Sequence, residues 1–73
     1  MNKKDMILQL ENSIQMANAE NNDSFYATST ISNARGTLEG LKNPPKGSFF
    51  EIDSVTFDRI IWNLANVQRG IRI

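Results

Sequence analysis

The amino-acid sequence predicts an all-α protein, a small three-helix bundle that forms a single domain over residues 1–73. Three segments carry apolar residues at alternating steps of three and four, which is the spacing of one face of a helix. Asparagine-rich and proline-containing stretches separate these segments. With 40% hydrophobic and 22% charged residues, the composition is that of a globular protein rather than a disordered one.

The first predicted helix covers residues 3–20. Asn2 suits the N-cap position, and Asp5 lies in the first turn, where a negative charge is favoured. The apolar stripe of this helix consists of Ile7, Leu10, Ile14 and Ala17.

The second predicted helix covers residues 24–42 and follows a turn at residues 21–23. The asparagines and aspartate of that turn tolerate left-handed backbone and supply caps. The helix ends before Pro44, because the residue preceding a proline is pushed out of helical geometry. Its apolar stripe consists of Ala27, Ile31, Ala34, Leu38 and Leu41.

A loop over residues 43–52 connects the second helix to the third and contains Phe49 and Phe50. We expect a structured loop in which both aromatic side chains fold back over the end of the bundle. In the alternative, residues 48–52 form a short strand that pairs with the same strand of a second copy.

The third predicted helix covers residues 54–69. Asp53 suits its N-cap, Ile52 and Phe57 occupy the positions of a hydrophobic staple, and Gly70 closes the helix. The apolar stripe is the most regular of the three and consists of Phe57, Ile60, Leu64, Val67 and Ile71.

The three stripes contain few large side chains, so a single copy has a thin core. We therefore expect the chain to form a homo-oligomer, which buries additional apolar surface. Apolar residues off the first stripe and small residues opposite the second stripe indicate where copies meet. The predicted oligomer interface comprises Leu8, Met16, Ser29, Gly36 and Gly40.

A different surface of the third helix is the predicted site for a partner protein. Trp62 and Val55 lie far around the helix from Phe57, so a core that faces one way cannot use them. Tryptophan and arginine contribute much of the binding energy of protein interfaces. The predicted partner-binding residues are Trp62, Arg59, Arg69, Val55 and Asn66. In the alternative, Trp62 packs under the loop that contains Phe49 and Phe50 or at the edge of the stripe.

The composition excludes much catalytic chemistry. The chain has no Cys and no His, which removes thiol nucleophiles, imidazole acid–base groups and the usual zinc ligands. Its carboxylates occur singly, and no glycine-rich phosphate loop is present. We therefore expect no enzymatic activity, no cofactor and no metal. The apolar runs are too short for a membrane span, and we expect a cytoplasmic protein.

Two other function classes remain open. The second helix and its loop combine hydroxyl, amide and cationic side chains that suit an anionic small ligand such as a nucleotide, bound or sequestered by an oligomer. These residues are Tyr26, Thr30, Asn33, Arg35, Thr37, Lys42 and Lys46. A DNA-binding regulator would use the third helix, but the net charge of zero and the long preceding loop disfavour a helix-turn-helix.

The function that we expect first is that of a small non-enzymatic interaction protein. Such a protein binds a host or partner protein and inhibits or regulates it. The nine Asn and eight Ile residues suggest an AT-rich genome, and short chains of this kind are typical of phage and mobile-element accessory genes.

Overall fold

Three helices and their connections make up the described part of the chain. A computed structural model describes residues 2–47 and 50–72. It contains α1 (Lys3–Ala19), α2 (Phe25–Lys42) and α3 (Ser54–Gln68), with no strand among these residues. The prediction of a compact all-α fold with three helices is confirmed.

Each predicted helix extends one capping residue beyond the observed one. Glu20 and Arg69 are the C-caps of α1 and α3, and Ser24 is the N-cap of α2. The Ser24 hydroxyl oxygen accepts a hydrogen bond from the Ala27 N–H at 3.2 Å. A cap residue lies only half within its helix, so the corrected ranges differ from the predicted ones at these three positions alone.

The predicted N-caps of α1 and α3 are confirmed, whereas the prediction that residues 21–23 cap α2 is wrong, because Ser24 is the N-cap of that helix. Asn2 Oδ1 accepts a hydrogen bond from the Asp5 N–H at 2.8 Å, and Asp53 Oδ1 accepts one from the Thr56 N–H at 2.8 Å. Each cap satisfies a backbone donor that has no partner within the helix.

The turn between α1 and α2 contains the left-handed residue that its sequence predicts. Asn21 has a φ of 53°, a conformation that asparagine tolerates better than most residues. Asn22 Oδ1 accepts from the Ser24 N–H at 3.1 Å, and its Nδ2 donates to the Ile71 carbonyl at 2.8 Å. The turn is therefore tied to the segment that follows α3.

Gly70 ends α3, as the sequence predicts. Its φ of 84° is left-handed. The Gly70 N–H donates to the Val67 carbonyl at 3.0 Å, and the Ile71 N–H donates to the Asn66 carbonyl at 3.1 Å. This pair of bonds is a Schellman motif, which satisfies carbonyls that the helix leaves unpaired.

The core lies between the three helices, each of which packs against the other two. Its alanines are fully buried, which allows the helices to approach closely at the centre of the bundle. All predicted stripe residues belong to this core or pack against it, except the half-buried Ile71. The buried apolar residues are Leu10, Ile14, Ala17, Ala27, Ala34, Leu41, Phe57, Ile60, Leu64 and Val67.

The helices alternate in direction, so that α1 and α3 run parallel. Met6, near the start of α1, lines a small cavity with Phe57 near the start of α3. Further along, Gln68 Nε2 donates to the Ser13 carbonyl at 3.5 Å. The beginning of α2 therefore lies at the same end of the bundle as the end of α3.

In the loop between α2 and α3, Phe50 is half-buried and packs against the core. A methyl group at Gly40 would lie 2.6 Å from Cε2 of its ring, so glycine makes room for this contact. Residues 50–52 form no strand. The other part of the loop prediction falls on Ser48 and Phe49, which lie outside the described residues.

Among the described residues, no helix is both long enough and apolar enough to cross a membrane.

Two glycines of α2 provide a test of the contact with Phe50. Gly36 has open space where a methyl group would stand. We expect Gly36→Ala to raise the free energy of unfolding by about 1 kcal/mol, because alanine favours the helix. We expect Gly40→Ala to give no such gain, because the methyl group displaces Phe50. Urea unfolding followed by circular dichroism measures both values.

As a matched control, Gly36→Ala and Gly40→Ala are each repeated in a chain that also carries Phe50→Ala. Without the ring, Gly40→Ala is expected to regain the stabilisation seen at Gly36. An equal gain for Gly36→Ala and Gly40→Ala in the otherwise unchanged chain would contradict the packing of Phe50 described above.

The N-cap of α3 provides a test of pH dependence. Hydrogen bonds from the Thr56 side chain and backbone, with help from the nearby Arg59 charge, lower the pKa of Asp53 below its usual value. A carboxyl group with a lowered folded-state pKa stabilises the protein above the unfolded-state pKa. That contribution disappears as the pH falls through the folded-state pKa.

We therefore expect the original chain to lose more stability than Asp53→Asn between neutral pH and about pH 3, below the usual pKa of aspartate. Asparagine keeps the cap but does not titrate. The urea midpoint is measured for both chains at the two pH values. The difference between the two chains in the shift of this midpoint removes the contributions of all other carboxyl groups. Equal losses in the two chains would show that the Asp53 charge adds nothing to the cap.

Candidate protein-binding surface

An outer stripe runs along the solvent-facing side of α3. We define it as Val55, Arg59, Trp62, Asn66 and Arg69, which alternate in steps of four and three. Val55 is 67% exposed and Trp62 is 59% exposed, although both are large apolar side chains. The inward side of α3 is occupied by its four buried residues, so the helix turns this second row outward.

Trp62 stacks with a cation of the same stripe. The Arg69 guanidinium carbon lies over the Trp62 ring, 5.1 Å from its centroid. Arg69 Nη1 also donates to Asn66 Oδ1 at 3.1 Å. The guanidinium is thus held by an aromatic ring and by an amide oxygen, and one face of the indole is already covered.

A polar network joins the outer stripe to α2. The Tyr26 hydroxyl donates to Asn63 Oδ1 at 2.9 Å and accepts from Asn66 Nδ2 at 3.2 Å. Since Asn66 also holds Arg69, hydrogen bonds run from α2 through Asn66 to the cation beside Trp62. The network orients Asn66 and, through it, Arg69 beside Trp62 before any partner arrives, which lowers the entropy cost of binding there.

The five predicted partner-binding residues therefore lie together on one face, but their roles differ. Val55, Arg59, Trp62 and Arg69 are exposed, whereas Asn66 is half-buried and already bonded on both sides of its amide. Asn66 positions Arg69 rather than offering a free amide. Trp62 is 59% exposed, so it does not belong to the core, while Phe49 of the loop named in the alternative lies outside the described residues.

Phe25, which no prediction from the sequence included, is the most exposed large apolar side chain among the described residues, at 82%. It is the first residue of α2 and precedes Tyr26, whose hydroxyl reaches Asn66. Phe25 therefore stands at the end of the bundle where α2 begins and α3 ends. Its exposure could have been predicted, because Phe25 lies about 180° around the helix from Ala34, and Ala34 is the central residue of the α2 stripe.

The predicted oligomer residues occupy two separate regions. Leu8 and Met16 are 51% and 57% exposed, and their positions are about 80° apart around α1. On α2, Ser29 is exposed and Gly36 is open to solvent. The close approach predicted at Gly40 is made by Phe50 of the same chain, which occupies the space that a second copy would need.

The residues predicted for an anionic ligand are split between the two sides of α2. Tyr26 bonds to α3, and Thr30 and Asn33 line a cleft of about 280 Å³ against α3. Arg35 follows Asn33 by two residues, which is about 200° around the helix. It lines a different cleft of about 300 Å³ against α1.

The other members of that ligand set do not complete a pocket. Lys42 forms an ion pair with Glu11 of α1 at 3.2 Å. Thr37 is half-buried, and Lys46 is exposed in the turn after α2. The predicted ligand residues therefore do not line one common cleft, although Arg35 shares its cleft with the hydroxyl groups of Thr28 and Ser32.

Neither arginine of the outer stripe forms an ion pair within the described residues, although the Arg59 charge contributes to the lowered pKa of Asp53. Within the described residues, ion pairs join Lys42 to Glu11 and Arg72 to Asp23. In the same part of the chain, no three acidic, Cys or His residues are grouped so that they could hold a metal ion.

Comparison with models of known families finds no match. Comparisons with curated proteins and with solved structures find none either.

Proposed function

We propose that this chain is a small helical interaction protein that binds a partner protein through the outer stripe of α3 and thereby alters the activity of that partner. The observation that carries the proposal is the stacked pair of Trp62 and Arg69, exposed and fixed in place by Asn66. A host protein is the partner that the proposal favours, which would make the chain an inhibitor or regulator.

The physical support is the cost of leaving this surface in water. An exposed Trp and an exposed Val on one stripe contribute little burial to the monomer, whereas covering them would remove apolar surface from water. Interface hot spots are enriched in Trp and Arg, and preorganised side chains lose little entropy on binding. The polar network from Tyr26 supplies that preorganisation.

Self-association remains part of the proposal, through a surface other than the outer stripe. Leu8 and Met16 leave apolar area exposed on α1, and the open side of Gly36 lets a neighbouring backbone approach. Small domains with thin cores gain stability from such burial.

The alternative of an anionic small ligand receives less support, since Arg35 and Lys42 do not line the cleft that contains Thr30 and Asn33. Arg35 shares its own cleft with the hydroxyl groups of Thr28 and Ser32, which were not among the predicted ligand residues.

The first prediction concerns binding of the partner. We expect Trp62→Ala to lose the protein captured from the source cell by the original chain, because removal of a hot-spot residue costs about 2 kcal/mol or more. Quantitative affinity capture measures the loss, and circular dichroism checks that the variant remains helical. Leu8→Ala removes a similarly exposed side chain from α1 and is expected to retain the partner. Loss with Leu8→Ala but not with Trp62→Ala would place the binding surface on α1.

The second prediction concerns mass in solution. Light scattering across a concentration series is expected to give a stable multiple of 8.2 kDa. Leu8→Lys is expected to shift the mass toward that of one chain, because it places a charge in the apolar contact. A mass of 8.2 kDa at all concentrations would contradict self-association and leave the outer stripe as the proposed interface.

A further inference from the structure

The chemistry of the outer stripe identifies the kind of partner that it fits. The stripe carries two arginines, one Trp, one Val and one Asn, and no acidic residue. Its arginines form no ion pair within the described residues. A partner that covers Trp62 must approach these cations, and burying them without carboxylates would be costly.

The spacing of the stripe favours a helix as the partner. Steps of four and three place the five residues in a nearly straight row, as in one seam of a coiled coil. The row extends over about 21 Å, at 1.5 Å per residue. Along the helix axis, the backbone positions of Arg59 and Arg69 are about 15 Å apart, with Trp62 between them. A facing helix can place apolar residues over Trp62 and Val55, with carboxylates near both arginines.

A second copy of this chain does not fit the stripe. If two stripes paired in parallel, Arg59 would face Arg59 of the other copy, and Arg69 would face Arg69. If they paired antiparallel about Trp62, four arginines would share one seam without a carboxylate. Like charges that are buried together destabilise an interface, so the stripe disfavours pairing with itself.

Nucleic acid also fits poorly. The chain has eight basic and eight acidic residues, and its net charge is zero. Two arginines release few counterions, so the affinity of the stripe for nucleic acid would be low.

We propose that the outer stripe of α3 binds an acidic amphipathic helix of the partner protein, with its apolar residues on Trp62 and Val55 and its carboxylates on Arg59 and Arg69. This inference rests on the proposed function and adds the chemistry of the partner. The guanidinium of Arg69 is already oriented by Trp62 and Asn66, so binding a carboxylate would require little further ordering of this side chain.

A peptide selection tests the proposal without knowledge of the natural partner. A display library of helical peptides, randomised along one face, is selected on the full chain, and the affinity of each retained peptide is then measured for the full chain and for Trp62→Gln. The retained peptides are expected to be rich in Asp and Glu on both sides of an apolar centre. Trp62 is the single Trp of the chain, so a change in its fluorescence on titration with a peptide reports that the stripe is covered.

Matched charge variants then test the role of the arginines. Arg59→Gln with Arg69→Gln is expected to weaken binding of the retained acidic peptides about tenfold, since each exposed ion pair contributes modestly. Lys3→Gln with Lys4→Gln removes the same charge from the exposed start of α1 and is expected to leave affinity unchanged. Raised salt should weaken the original chain and have less effect on the Arg variant.

The outcomes separate this inference from the proposed function. Retained peptides that depend on Trp62 but lack acidic residues, or equal weakening by the two double variants, would overturn the acidic-helix inference alone. Peptides that bind Trp62→Gln as tightly as the original chain would overturn the proposed function as well. Tighter binding of a single-stranded oligothymidylate than of any retained peptide would replace the helix by a nucleic acid.

Discussion

The side of α3 that faces the core is the constraint on which the rest of the structure depends. Phe57, Ile60, Leu64 and Val67 are all buried, and their spacing leaves one orientation in which the helix can pack. Once that side faces inward, the row that contains Trp62 must face solvent. The exposed Trp is therefore a consequence of a well-defined core, and the binding surface and the fold are set by the same periodicity.

The polar contacts between α2 and α3 add to the specificity of this arrangement. Apolar side chains alone would tolerate small rotations of the helices, but the Tyr26 hydroxyl needs both Asn63 and Asn66 within hydrogen-bond reach. The buried side-chain N and O atoms of the described residues all have partners. The surface beside Trp62 is thus held by directional bonds as well as by packing.

The sequence was sufficient for the helices and for the row of residues that faces outward, since both follow from residue spacing. It was insufficient where distant parts of the chain meet. The contact of Phe50 with Gly40 spans a loop whose path no local pattern describes, and the bond from Asn22 to Ile71 joins residues far apart in the chain. The division of the predicted ligand residues between two sides of α2 could have been predicted, because Asn33 and Arg35 are about 200° apart around the helix. Phe25 was not predicted because it is the first residue of α2 and lies off the apolar stripe, so residue spacing gives no indication of its role.

The bond from Asn22 to Ile71 and the ion pair between Asp23 and Arg72 have a consequence for cooperativity. They couple the turn between α1 and α2 to the end of α3, so that neither is expected to open locally without the other. The last turn of α3 contains Asn66, whose carbonyl receives the Ile71 N–H and whose amide orients Arg69. Fraying at this end would therefore release the guanidinium from Trp62, and a partner that holds that pair would slow hydrogen exchange as far away as the turn between α1 and α2.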